Sequence, residues 1–192
     1  MKNTMIALLT AVFVTVVTVI IGAGMARTEM PEEDMPVETV VYAEPIHRTT
    51  YTELSVPGGD TSFKSYMDYT AITNTHSPQY RLQQDCYTDA YGIRRKGSYY
   101  CVALGTGYAD AIGDKFRITL DSGETFLAIA ADFKADCDTD STHRYTPMSY
   151  GGKNVVEFVV ETSALPTEAR RMGDISYCGD MSGDISKIER ME

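Results

Sequence analysis

Asp132 and Glu157 are the acids that the strand pattern of this chain would aim toward a ligand. Asp132 closes the run 125–132, where Phe126, Ala128 and Ala130 alternate with their neighbours. Period-two geometry puts Asp132 on their face, at the border of a core. A carboxylate in such a place is suited to general acid or base work; the simpler role is to stabilise a turn. Glu157 interrupts the run 154–160, which is apolar at five of its seven positions, and shares a face with Val155 and Val159. If that face looks inward, Glu157 is a buried acid that needs a partner. If Val156, Phe158 and Val160 form the core face, it is merely exposed. Asp136, in the acidic stretch 131–144 that follows Asp132, is the third carboxylate of interest; a solvated loop is the simplest reading of that stretch.

Other chemistries fit less well. Asp136, Asp138 and Asp140 match the first three acidic positions of a helix-loop-helix calcium site, but Ser141 stands where the turn glycine belongs and Pro147 where the bidentate glutamate belongs. No metal and no cofactor are therefore expected. His143 is close enough in sequence to pair with one of the acids, although a plain surface histidine is the simpler role. No nucleophile motif and no phosphate-cradling glycine loop is present. The four cysteines, Cys86, Cys101, Cys137 and Cys178, include no CxxC spacing and so do not suggest zinc. In an oxidising exterior they would form at least one disulfide, and two bridges would leave three pairings open.

The elements that must position these residues read as short strands at 65–72, 98–104, 115–120, 125–132 and 154–161. Phe116, Ile118 and Leu120 alternate with Lys115, Arg117 and Thr119, and the turn chemistry of residues 121–124 predicts a hairpin into the next run. Short helices are expected at 77–84 and 166–172, the second ended by Gly173, and the tail 184–190 would either add a last strand or fray. Residues 61–192 thus form one β domain, preceded at 27–60 by an acidic tether containing Pro31, Pro36, Pro45 and Pro57.

Residues 5–24 carry no charge and are long enough to span a bilayer. Lys2 precedes them and Glu29, Glu32, Glu33 and Asp34 follow, which favours the N-terminus inside and the rest outside. Segment 1–26 is a signal anchor or, with Gly24, Met25 and Ala26 offering a cleavage site, a signal peptide; the length of the apolar run favours the anchor. The protein is expected in the cell membrane with its C-terminal domain outside, or secreted if the segment is cleaved. The net charge of -10, without a basic stripe, argues against nucleic acid as a partner.

The segment 112–120, then Gly123, then Ala128 to Asp132 and Val155 to Phe158 resembles the double-psi β-barrel proteins of the 3D-domain and rare lipoprotein A type. The departures are Phe133, Lys134 and Ala135 in place of the usual Thr-Gly-Gly after the first aspartate, and Glu157 where the last acid is usually Asp. The resemblance implies a mainly β fold: a small double-psi-like barrel with one or two short helices after an N-terminal transmembrane helix. It implies acids lining a groove for peptidoglycan glycan strands, with Asp132 as the first aspartate, Glu157 as the last, and Asp136 as the remaining acid. Lytic transglycosylase-like cleavage would then run on carboxylate acid/base chemistry. The alternatives are a non-catalytic envelope or glycan-binding module, in which Tyr66, Tyr69, Tyr99 and Tyr100 would stack on sugar rings, and a structural surface protein.

Overall fold

The computed structural model describes residues 49–192; the apolar segment 1–26 and most of the tether lie outside the described residues. The described chain is mainly β, with two short α-helices. Its first half runs β1 (Tyr51–Leu54), β2 (Tyr66–Asp68), α1 (Pro78–Gln84), β3 (Tyr87–Thr88), β4 (Arg94–Lys96), β5 (Tyr99–Leu104) and β6 (Lys115–Leu120). The second half runs β7 (Thr125–Phe133), β8 (Thr146–Pro147), β9 (Lys153–Asn154), β10 (Glu157–Val160), α2 (Thr167–Met172) and β11 (Ile185–Met191). Strand β1 lies inside the stretch read from sequence as tether, and it pairs with β11, so folded structure begins before residue 61. Among the described residues no helix is long and apolar enough to cross a membrane.

One mixed sheet takes the order β1-β11-β6-β7-β5-β10-β2, with β4 also on β5 and β3 on β4; β8 and β9 form a separate ribbon. Among the described residues no pairing joins β1 to β2, the two ends of the path. The expected hairpin β6–β7 is present, and Gly123 takes φ 91° in its turn, a conformation that glycine adopts without steric cost. The hairpin returns β7 beside β5 as a parallel neighbour, and β10 runs antiparallel on the other edge of β5. Strand β5 is central, which explains why Cys101, Val102, Ala103 and Leu104 are all buried.

Both faces of the sheet are covered. Phe116, Ile118, Phe126, Ala128, Val102, Phe158 and Val160 belong to the larger core. On the other face Cys101, Ile129, Ala131 and Val159 pack with Leu82 of α1. Each fully buried Phe or Leu side chain contributes about 2 kcal/mol of burial energy. Helix α1 starts where Ser77 Oγ accepts the Tyr80 N–H and Pro78 fills the first turn, a start that suits both residues. Helix α2 ends at Gly173 in the left-handed conformation, φ 68°.

Candidate functional site

Strand β7 carries a bulge that decides where its acid points. Val102 of β5 pairs with Ala130, but the next residue, Ala103, pairs with Asp132, which leaves Ala131 as the extra residue. An inserted residue reverses the inward-outward alternation beyond it. Phe133 therefore returns to the face of Phe126, Ala128 and Ala130, and Asp132 falls on the opposite face, with Ile129 and α1. This corrects the sequence expectation that placed Asp132 beside Phe126.

The same register brings the two main acids together. Ala103 pairs with Asp132 on one side and with Glu157 on the other, so all three residues form one row across β7, β5 and β10. Laterally paired residues point to the same face, and the outer two backbones are two strand spacings apart, about 10 Å. The alanine between them is buried, at 1% exposure.

Glu157 is neither fully buried nor free. Its Oε2 is 3.8 Å from Nζ of Lys134, whose side chain is only 3% exposed while that of Glu157 is 27% exposed. Burial lowers the proton affinity of Lys134, and the Glu157 charge acts in the opposite direction. Asn154 completes the cluster in the amide orientation that satisfies both its oxygen and its nitrogen: the oxygen then accepts from Lys134 Nζ at 3.1 Å and from Ser65 Oγ at 2.7 Å, and the nitrogen donates to the Val156 carbonyl at 2.9 Å. Lys134 therefore answers the need of Glu157 for a partner. The sequence names no partner for Glu157 and carries no signal for Asn154 or Ser65, because their meeting with Lys134 depends on how β10 pairs with β2 and β5.

Asp132 is held differently. Its Oδ1 accepts from the backbone N–H of Phe133 at 2.9 Å and, more weakly, from Gln79 Nε2 at 3.4 Å. Its Oδ2 has no hydrogen-bond partner among the described residues. The carboxylate borders a depression of about 280 Å³ whose other walls are Met67, Ile72, Thr73, Asn74, Ser77 and Gln79, together with Ala71. Glu157 is not among these walls.

Asp136 stands outside the row. It opens a short 3-10 turn beyond β7, accepts from Thr106 Oγ1 at 2.7 Å, and lies 3.5 Å from His143 Nδ1. The acidic stretch, read as a solvated loop, is internally bonded. Burial would raise the Asp140 carboxyl, but hydrogen bonds from Thr142, Arg144 and Tyr145 overcome this and hold it well below the usual carboxylate range. His143 takes φ 53°, and its carbonyl accepts from Gly107 N at 2.9 Å. Among the described residues there is no group of three or more His, Cys, Asp or Glu side chains placed to hold a metal ion.

The four tyrosines considered as a sugar platform divide between faces. Tyr66 and Tyr100 pack on the larger core, Tyr69 and Tyr99 on the smaller one. Tyr100 instead lines a cleft of about 370 Å³ with Tyr91, Arg95 and Phe126, and the Arg95 guanidinium lies 4.0 Å above its ring. No family model, curated protein or solved structure matches this chain. The row of Asp132, Ala103 and Glu157, and the depression beside Asp132, therefore carry the functional argument by themselves.

Proposed function

We propose that this is a membrane-anchored, cell-wall-facing domain of double-psi barrel type that binds peptidoglycan glycan strands and cleaves them with Asp132 as the acid/base. The observation that carries this reading is the Oδ2 of Asp132, without a hydrogen-bond partner among the described residues, at the wall of the depression formed with Gln79, Ser77, Asn74 and Thr73. Hydroxyl and amide side chains suit the hydroxyls and acetamido groups of a glycan, and Met67 and Ile72 offer apolar contact to a ring. Lytic cleavage needs one well-placed acid/base, because a hydroxyl of the sugar itself closes on the anomeric carbon. Asp132 has the stronger claim to that role. Glu157 is paired with Lys134 and Asp136 with Thr106, so both act as supports in this reading. The mixed sheet, with parallel pairings at β5–β7 and β10–β2, supports the barrel comparison. The charge-free segment 5–24 supports the anchor.

A second reading, a non-catalytic glycan-binding module, is favoured by the cleft on the other face, where Tyr91 is 45% exposed beside Arg95 and Tyr100. One experiment separates the two. Asp132→Asn keeps the shape of the site and removes the transferable proton, so release of muropeptides with anhydro ends from purified peptidoglycan should fall roughly 100-fold while sedimentation with the polymer persists. Wild-type protein that sediments but releases nothing supports the binding module. Protein that does neither removes the glycan reading.

A further inference from the structure

The four thiols are unbonded in this structure, yet two of them touch: Cys86 Sγ and Cys101 Sγ are 3.4 Å apart. We propose that Cys86 and Cys101 form a thiol–disulfide pair, oxidised by exchange with an external disulfide, which locks the C-terminal end of α1 onto the central strand β5. The inference is independent of the glycan reading.

Geometry carries it first. Cys86 follows the last turn of α1, and Cys101 sits in β5, facing the smaller core beneath that helix. A disulfide needs the sulfurs about 2.0 Å apart, so closure from 3.4 Å asks for side-chain rotation and little backbone movement. Cys137 is exposed on the loop after β7, and Cys178 belongs to the larger core, on the other side of the sheet from Cys101. The Cys86–Cys101 pairing therefore follows from placement.

The two sulfurs are also unequal in a way that sets the order of reaction. Cys86 is partly exposed, while Cys101 is fully buried. The hydrogen bond with Cys101 lowers the proton affinity of Cys86, Arg94 and Lys96 act in the same direction, and burial and Asp85 oppose them. The same contact and burial raise that of Cys101. Cys86 is thus the attacking thiolate. It loses its proton, gives up its contact with the Leu82 carbonyl, and attacks one sulfur of the external disulfide, expelling that partner's other half as a thiolate. Cys101 then loses its proton and attacks Cys86 Sγ, expelling the second half. Two protein thiols lose two electrons and two protons, and one external disulfide becomes two thiols.

The bridge bears on the depression described above. Gln79 and Ser77, at the start of α1, are two of its walls, and Cys86 lies just past the other end of the same helix. Fixing that end to β5 holds the wall in place.

Trypsin cuts at Arg94, Arg95 and Lys96, between the two cysteines, so a bridge joins two separate peptides. Full-length protein treated with oxidised glutathione, then unfolded and alkylated without reductant, should yield the Cys86 peptide joined to the Cys101 peptide, with Cys178 alkylated. Reductant should lower the Tm of the oxidised wild type by about 10 °C, the scale expected for a short closed loop. It should leave C86S unchanged. C137S, at an exposed position, should keep the bridge and controls for pairing with Cys137. Recovery of Cys86 and Cys101 as alkylated thiols after glutathione treatment overturns the proposal, as does a Cys86–Cys137 bridge.

Discussion

Replacing Glu157 by Gln should expose how much the Lys134 charge depends on it. Nζ of Lys134 and Oε2 of Glu157 are 3.8 Å apart. At that distance an effective dielectric of about 20 gives about 4 kcal/mol of attraction before screening. Glu157 is 27% exposed and keeps part of its hydration, which reduces the loss on Glu157→Gln to about 2 kcal/mol, just below the range for breaking a fully buried pair. Lys134→Met should cost less, about 1 kcal/mol or under, because Met refills the volume and the remaining carboxylate reaches water. The double variant should resemble Lys134→Met, so the coupling between the sites is about 2 kcal/mol. Urea unfolding at pH 7 with an unchanged m-value is the assay. The pH dependence gives a second reading. Burial lowers the proton affinity of Lys134 in the folded state, so the unfolded chain holds this proton to higher pH. The stability this group withholds therefore returns as pH rises from its folded value toward 10.5. In Glu157→Gln the folded value falls further, and the rise begins at lower pH. A Glu157→Gln variant within about 0.5 kcal/mol of wild type, or more stable than Lys134→Met, would refute the reasoning.

Two further outcomes rest on different contacts. A Cβ at Gly105 would lie 1.9 Å from the backbone carbonyl of His143, so Gly105→Ala should destabilise by about 3 kcal/mol and speed hydrogen exchange at Gly107; unchanged exchange there would show that the loop yields. Arg117 first, then Lys187, hold the Glu189 carboxyl down at about 2 from an ordinary 4.5. Its stabilisation is present above 4.5 and lost as pH falls toward 2, and acid titration of Glu189→Gln should show a flatter loss across that window.

Local chemistry makes several elements of this chain legible without a structure. The alternation of Phe116, Ile118 and Leu120 and the turn before Thr125 specify the hairpin β6–β7. Ser77 with Pro78 starts α1, and Gly173 ends α2, because capping and left-handed geometry depend on residues within one turn. The tail 184–190 reads as either a last strand or a frayed end, and pairing with β1 and β6 makes it β11. The acids Asp132 and Glu157 could be singled out because each is a charged residue in an apolar run.

Where those acids point was decided by tertiary structure. A bulge at Ala131 is a mismatch between two strands, so nothing within β7 announces it, yet it moves Asp132 to the opposite face and into one row with Glu157. Strand β1 looks like tether until β11 supplies its hydrogen bonds. Lys134 meets Glu157 and Asn154 across β5, and Cys86 meets Cys101 where α1 packs on β5. Sequence patterning reports the preferences of each segment for water and for local geometry. The partners of a buried charge such as Lys134 are set by strand register, which forms between segments far apart in the chain.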